Sequence, residues 1–423
     1  MTLTEVLVNF LAYAILTVGW LMVWPSRRNI PALINIPFVI TAYLAPLLVI
    51  PYSNVYSQQT LDLLTRINVL GAVATVFGLF VGYRARFAAP LLTALLPTRG
   101  GPRDQQRLRR RVMIALGLGV AGMALAFAMM GFVPMFADDP FLAKFFRGPY
   151  KDSYDRVAVL YRLSQFTVIT LLPIAVAVAF ERRNFASAAL ALSAAAVLGV
   201  SLTRAPVLEG VLLVLAIVAS RSRKGMTFYL LGSTAIYVVG SVVYVVLGLA
   251  EGGDVVQNLS SGATDVVDHL DFLQNFNTSL NLTYGLSWVA GLLPGNQPYN
   301  PSVYSLSIVS PGMDLDDIRS GGLRLPASIW GYASFSWAGV VLVCFLSGLI
   351  HGGATAAFRS LISRETSLVN QTLLVLWFNI VVGFFADFYS MFYYGLLSIF
   401  LLLMVTRIKT SGRLVVQQRV TEP

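Results

Sequence analysis

Residues 201–225 read SLTRAPVLEGVLLVLAIVASRSRKG. A polar entry carrying Arg204 and Glu209 leads into an unbroken apolar run, which closes on Arg221, Arg223 and Lys224. Backbone amides have no partner in hydrocarbon, so an apolar run flanked by a basic turn reads as a membrane-inserted helix. This run, 206–220, is short, and so is the preceding one at 185–201. The pair therefore reads as a broken hairpin with Arg204 at its seam.

The rest of the chain has the same character. Of its 423 residues 57% are hydrophobic and only 12% charged, and the mean hydropathy is +0.72. Ordinary soluble domains are far less apolar. A spanning helix needs about 20 mostly apolar residues, and about eleven runs approach that length: 5–24, 31–51, 67–84, 112–133, 158–180, 185–201, 206–220, 226–250, 327–350, 367–385 and 390–406. The expected fold is an all-α polytopic membrane protein forming one integral domain over 1–423. The first run is long enough to remain as an anchor, and no basic segment precedes it to suggest a cleaved leader. Cys344 is the single cysteine, so an intrachain disulfide has no second half.

Basic residues fall on alternate connections: Arg27 and Arg28, the cluster from Arg84 to Arg111, Arg182 and Arg183, Arg221 to Lys224, Arg359 and Arg364, and the C-terminal tail from Arg407. The positive-inside rule makes these cytoplasmic and predicts an external N-terminus and an internal C-terminus. Most acidic residues fall on the other side. The net charge of +10 is thus a topology signal, and RLRRR at 107–111 reads as an anchor beside anionic lipid in preference to a nucleic-acid site.

Two external segments stand out. PMFADDPFLAKFFRGPYKDSYDRV, at 134–157, mixes aromatics with both charges, as a helix lying in the interface would. The stretch 251–326 is the longest non-spanning one and too rich in apolar residues for disorder. In it, TDVVDHLDFLQNF places Val266, Leu270, Leu273 and Phe276 at near-helical spacing, which predicts a short amphipathic helix. GLGVAG near Gly117 reads as a helix-packing seam.

Ionisable residues at membrane depth are costly and mark candidate sites. Arg204 leads; its structural alternatives are snorkelling, hairpin capping or an ion pair with Glu209. Arg162, Arg319, Arg324 and Arg66 fall on the same predicted side. A guanidinium makes paired charge-assisted hydrogen bonds to phosphate, so converging arginines at the outer boundary point to a lipid-linked phosphate or pyrophosphate. His269 is the one histidine predicted to face outward, His351 falling inside, and a histidine is the usual proton acceptor near neutral pH. Asp387, in FFADFYSMFYY, is the second candidate acid or base; an interfacial aromatic belt with one hydrated Asp is the alternative. Asp314 with Asp316, and Asp268 with Asp271, are acidic pairs of metal-binding spacing that also arise by chance. No metal or cofactor is assigned.

Three features resemble the oligosaccharide repeat unit polymerases, the Wzy-type O-antigen polymerases of bacterial envelopes. They are the Thr203-Arg204 entry into a helix closing on a basic turn, the large late external loop, and RLPASIWGYASFSWAGVVLVCFLSGLI at 324–350, with its proline, small residue, glycine and aromatics. Many members carry an acidic residue shortly after the proline, where this chain has IWGY. The resemblance implies a glycosyltransferase C-like membrane fold with the loop 251–326 between spans 8 and 9. It also implies transfer of a glycan from undecaprenyl pyrophosphate to a sugar hydroxyl at the outer leaflet of the inner membrane, without metal. Arg204, Arg162, Arg319 and Arg324 would then bind pyrophosphate, and His269 or Asp387 would take the proton. The implied partners are lipid-linked glycans, membrane lipid and a chain-length regulator protein.

Two other readings stay open. An O-antigen ligase uses the same donor and a similar fold. A polysaccharide or lipid transporter would show paired repeats with broken helices in matching places, and no such pair is visible. Asn258, Asn277 and Asn281 form Asn-x-Ser/Thr sites, which matter only in a eukaryotic chain.

Overall fold

The computed structural model describes residues 2–50, 52–86, 102–246, 265–292, 297–312, 322–386 and 393–406. Every regular element among them is helical. Seven helical stretches are long and apolar enough to cross a bilayer: Leu3–Val23, Ile30–Leu48, Gln58–Ala85, Gln105–Phe136, Ala158–Arg182, Ala327–Ile362 and Leu368–Ala386. Phe185–Val200, Gly210–Ala219 and Leu396–Thr406 are apolar but shorter. The protein is thus a polytopic helical membrane protein, and each of the eleven apolar runs overlaps a helix among the described residues, seven of them long and apolar enough to span.

Local chemistry sets many of the helix ends. In α1 (Leu3–Val23) Thr2 and Glu5 form a capping box, which satisfies two of the amides a helix start leaves open. Asn29 caps α2 (Ile30–Val39), which continues through a π turn, Ile40–Leu44, into Ala45–Val49. Ser57 caps α3 (Gln58–Ala85). Helices α4 (Pro102–Met130), α5 (Ala158–Arg182), α6 (Phe185–Val200), α7 (Arg204–Ala219) and α8 (Arg223–Val246) follow. Helix α6 ends at Val200 and α7 begins at Arg204, so the expected hairpin breaks over three residues.

The segment 134–157 folds as short turns and two short helices, Pro140–Phe145 and Lys151–Asp155. From the late loop the structure describes α9 (Asp265–Asn275), a turn of helix at Leu286–Val289, and α10 (Pro301–Val309). In α9, Val266, Leu270 and Leu273 are buried and Phe276 packs against the same cluster, which is the face their spacing predicted. Helix α11 (Ala327–Ile362) is followed by α12 (Leu368–Trp377), which passes through a π turn, and by α13 (Tyr393–Thr406).

Helix α11 is not one rod. Straight, its 36 residues would extend about 54 Å, well beyond the roughly 30 Å hydrocarbon core. Phe335 (φ −143°, ψ 27°) and Ser336 (φ 53°, ψ −140°) break it. Gly331 and Gly339 then meet backbone to backbone, although eight residues on a straight helix lie about 12 Å apart. Ser328 and Cys344 both border Gly71, so 327–334 folds back beside the start of 337–362. Two carbonyls exposed by the break find donors in the preceding segment: Thr283 N–H to Ala333 at 3.0 Å and Tyr284 N–H to Ser334 at 3.1 Å. Irregular backbone at membrane depth survives only with such partners.

The second half of α11 runs parallel to α3 in very close contact. A Cβ on Gly78 or Gly82 would overlap the carbonyls of Phe345 or Leu349; one on Gly348 or Gly352 would overlap those of Thr75 or Leu79. Each helix carries a Gly-x-x-x-Gly pair against the other, the small-residue contact by which membrane helices associate. Helices α1 and α3 are joined by polar groups instead. Asn68 donates to Asn9 at 2.8 Å, and Asn9 donates to Thr65 at 2.7 Å.

At one end of the bundle, Arg28 donates to Ser363 O, Arg359 to Tyr83 OH, and Arg109 pairs with Glu181, which also accepts from Ser367. These are connections the basic pattern assigned to one side. Helices α9 and α10 gather with Tyr52 and Tyr56, from the other set of connections, in a separate apolar cluster.

Candidate functional site

Two polar clusters contain the described site residues. The first surrounds the start of α7. Arg162, one turn into α5, donates from Nε to Tyr154 OH at 2.6 Å and from Nη1 to Gln165 Oε1 at 3.1 Å. Gln165 passes the link on, donating to Thr203 Oγ1 at 2.9 Å, and Thr203 and Ser201 share a hydroxyl contact at 2.7 Å. The guanidinium also lies 5.5 Å from the Phe146 and Tyr154 ring centres and 5.7 Å from that of Tyr161. These rings attract the cation through cation–π contact. The network therefore ties Arg162 to Thr203, the residue from which α7 and Arg204 begin. The backbone of Arg204 is described; the side chains of Arg204 and Glu209 lie outside the described residues.

The second cluster is built by α9. Arg324 meets Asp265 at 2.7 Å as an ion pair lacking hydrogen-bond alignment, and donates from Nε to Asp268 at 3.1 Å. Its backbone N–H also reaches Asp268, at 3.0 Å. Arg324 is half-exposed and Asp265 buried. Tyr43, carried by the π turn after α2, donates to Asp265 at 3.2 Å, and Tyr56 donates to Asp271 at 2.7 Å. His269 is fully buried, with its ring tilted against Tyr43 at 5.7 Å. A carbonyl only accepts, so the 3.0 Å contact to Arg324 O makes Nε2 the protonated nitrogen. Nδ1 meets no hydrogen-bond partner among the described residues.

Burial pushes His269 down to about 3 and Asp265 up to about 6, the latter against the opposing pull of Arg324. Loss of water penalises whichever form is charged. Consequences for stability follow with opposite signs. Acidification from pH 6.5 towards 3 protonates His269 in the unfolded chain only, so stability falls. Between pH 6 and 3.8 Asp265 gains a proton in the fold only, so stability rises. His269→Gln should therefore flatten the acid-side loss of thermal stability in detergent; an unchanged pH profile would contradict the burial argument. Arg324→Ala should destabilise the fold by about 2 kcal/mol, below the usual figure for a stranded buried charge because Arg324 is half-exposed. Adding Asp265→Asn should restore most of that loss, as read from thermal unfolding of the single and double variants.

The arginines grouped by the sequence thus divide. Arg162 sits among aromatics beside α7, Arg324 is held by two carboxylates, and Arg66 is exposed on α3. Arg319, Asp387, Asp314 and Asp316 lie outside the described residues. Asp268 and Asp271 turn to Arg324 and Tyr56, and no group of three His, Cys, Asp or Glu side chains is arranged for a metal among the described residues. Gln165 and Tyr154 were not picked out from the sequence. Gln165, a lone amide inside the apolar run of α5, carried the available signal, since buried amides in membranes need a partner. The chain matches no family model, no curated protein and no solved structure.

Proposed function

We propose that the chain is a membrane glycosyltransferase that polymerises undecaprenyl-pyrophosphate-linked oligosaccharides at the outer leaflet of a bacterial inner membrane. On this reading the N-terminus is periplasmic and the C-terminus cytoplasmic. The observation that carries it is the Tyr154–Arg162–Gln165–Thr203 network, which holds a guanidinium beside the Thr203-Arg204 helix entry. In the reaction an acceptor hydroxyl oxygen attacks the anomeric carbon of the donor. The bond from that carbon to the pyrophosphate oxygen breaks, and the pyrophosphate leaves with the electron pair. Preorganised cations at the leaving oxygens lower the barrier because charge develops there. Arg162, Arg204 and Arg319 are assigned that role. Arg324, already held by Asp265 and Asp268, orders the loop instead. The hydroxyl proton is assigned to Asp387, because His269, the other candidate base, is fully buried and keeps its proton affinity too low for that role, with a pKa pushed down to about 3.

The test is the profile of surface polysaccharide and lipid-linked intermediates in a strain lacking the gene. Loss of the long ladder with survival of a single-repeat product supports the polymerase. Long polymer accumulating on its prenyl carrier would make the chain a ligase, and an unchanged profile would return it to the transporters.

A further inference from the structure

The end of the bundle away from the proposed site holds a cavity of about 670 Å³. Three distant chain segments build it: the turn between α1 and α2, the end of α3, and the last turns of α11. Arg28, Arg86 and Arg359 line it, with Tyr83, Ser26 and Ser360 supplying hydroxyls. Two of the cations are positioned by other contacts. Arg28 Nη1 donates to Ser363 O at 3.2 Å, and Arg359 Nη1 donates to Tyr83 OH at 2.6 Å.

The charge balance is unusual for this protein. Arg324 has two carboxylates and Arg109 has Glu181, yet no carboxylate lines this cavity among the described residues. Glu365 faces the smaller neighbouring cavity, of about 190 Å³, which Arg28 also borders. Three guanidinium groups around one space repel each other unless an anion enters. Guanidinium forks and hydroxyl donors fit phosphate oxygens. Trp24 and Ala357 add apolar wall to the same cavity, as a group with an attached chain would require. Basic pockets between helices on the cytoplasmic side of a membrane characteristically take anionic lipid heads.

The geometry points to a phosphate-binding site at this basic end, formed by Arg28, Arg86 and Arg359 and filled by the head of an anionic membrane lipid. It is separate from the glycan site and does not depend on that reading.

Native mass spectrometry of the full chain released from detergent tests it, with phosphatidylglycerol, phosphatidylcholine and inorganic phosphate as probes. One phosphatidylglycerol should stay bound per chain where phosphatidylcholine does not. Arg28→Gln, Arg86→Gln and Arg359→Gln should each weaken retention about tenfold, the loss expected for one charged hydrogen-bonding partner, whereas Arg66→Gln, on α3 outside the cavity, should not. Equal retention of the two lipids, or retention unaffected by the three substitutions, would overturn the site. The comparison of lipids uses the wild-type chain, so it decides even where a variant fails to fold. Displacement by equimolar inorganic phosphate would keep the anion site and assign it to free phosphate; resistance assigns it to lipid.

Discussion

Gly82→Val should leave little folded protein in the membrane. A Cβ at Gly82 falls on the Leu349 carbonyl, and Gly353 N lies 2.9 Å away. The obstacle is backbone, so no rotamer change relieves it and α3 must move away from α11. Gly78, Gly348 and Gly352 make the same kind of approach from both sides, so separation at one glycine loosens the others. Overpacking ordinarily costs about 1–3 kcal/mol where side chains can adjust. Here the expected loss is at least about 3 kcal/mol, and the pair Gly78→Val with Gly352→Val should abolish folding. Ala at Gly82 should already lower the melting temperature. Gly117, Gly199 and Gly232 provide the contrast, since a Cβ there meets nothing within 4 Å. Ala at those helical positions should be neutral or stabilise by about 0.5–1 kcal/mol. Membrane abundance and thermal unfolding in detergent read both sets; an unchanged melting temperature for Gly82→Val would disprove the tight α3–α11 contact.

Arg162→Ala and Arg204→Ala should each abolish long polymer while the protein remains in the membrane. Removing one preorganised donor from a developing anion costs about 10²–10³ in rate in well-studied cases, enough to remove high-order bands from a ladder. Arg162→Lys should fall nearly as far. An ammonium cannot reproduce the planar fork that reaches Tyr154 and Gln165 together. Gln165→Leu should act in the same direction more weakly, because it frees Thr203 and leaves the cation in place. Polymer length in the complemented strain, set against protein abundance from the same membranes, separates lost chemistry from lost folding. Normal chain length with Arg162→Ala would remove Arg162 from the site, and the same result with Arg204→Ala would sink the polymerase assignment.

How far the residues alone could be read depended on the range of the interaction. The face of α9 was legible because Val266, Leu270 and Leu273 repeat at helical spacing. The sharp reversal in α11 was not. ASIWGYASFSWAG has no proline at its break, and the turn at Phe335–Ser336 rests on the Gly331–Gly339 approach and on N–H groups of Thr283 and Tyr284, some fifty residues away. The candidate site shows the same division. Arg162 and Arg324 look alike in sequence, each an arginine at the mouth of an apolar run. Arg324 is held by Asp265 and Asp268 of α9, while Arg162 meets an aromatic cage and an amide.

By itself the sequence determined that the chain is an all-helical, polytopic membrane protein. Hydrocarbon forces each inserted segment to satisfy its own backbone locally, and composition is enough to show it. Tertiary structure alone decided which helices touch through glycine, where α11 turns back, and which arginines are balanced by carboxylates. Those outcomes depend on atoms brought together from positions far apart in the chain, and no local pattern records them.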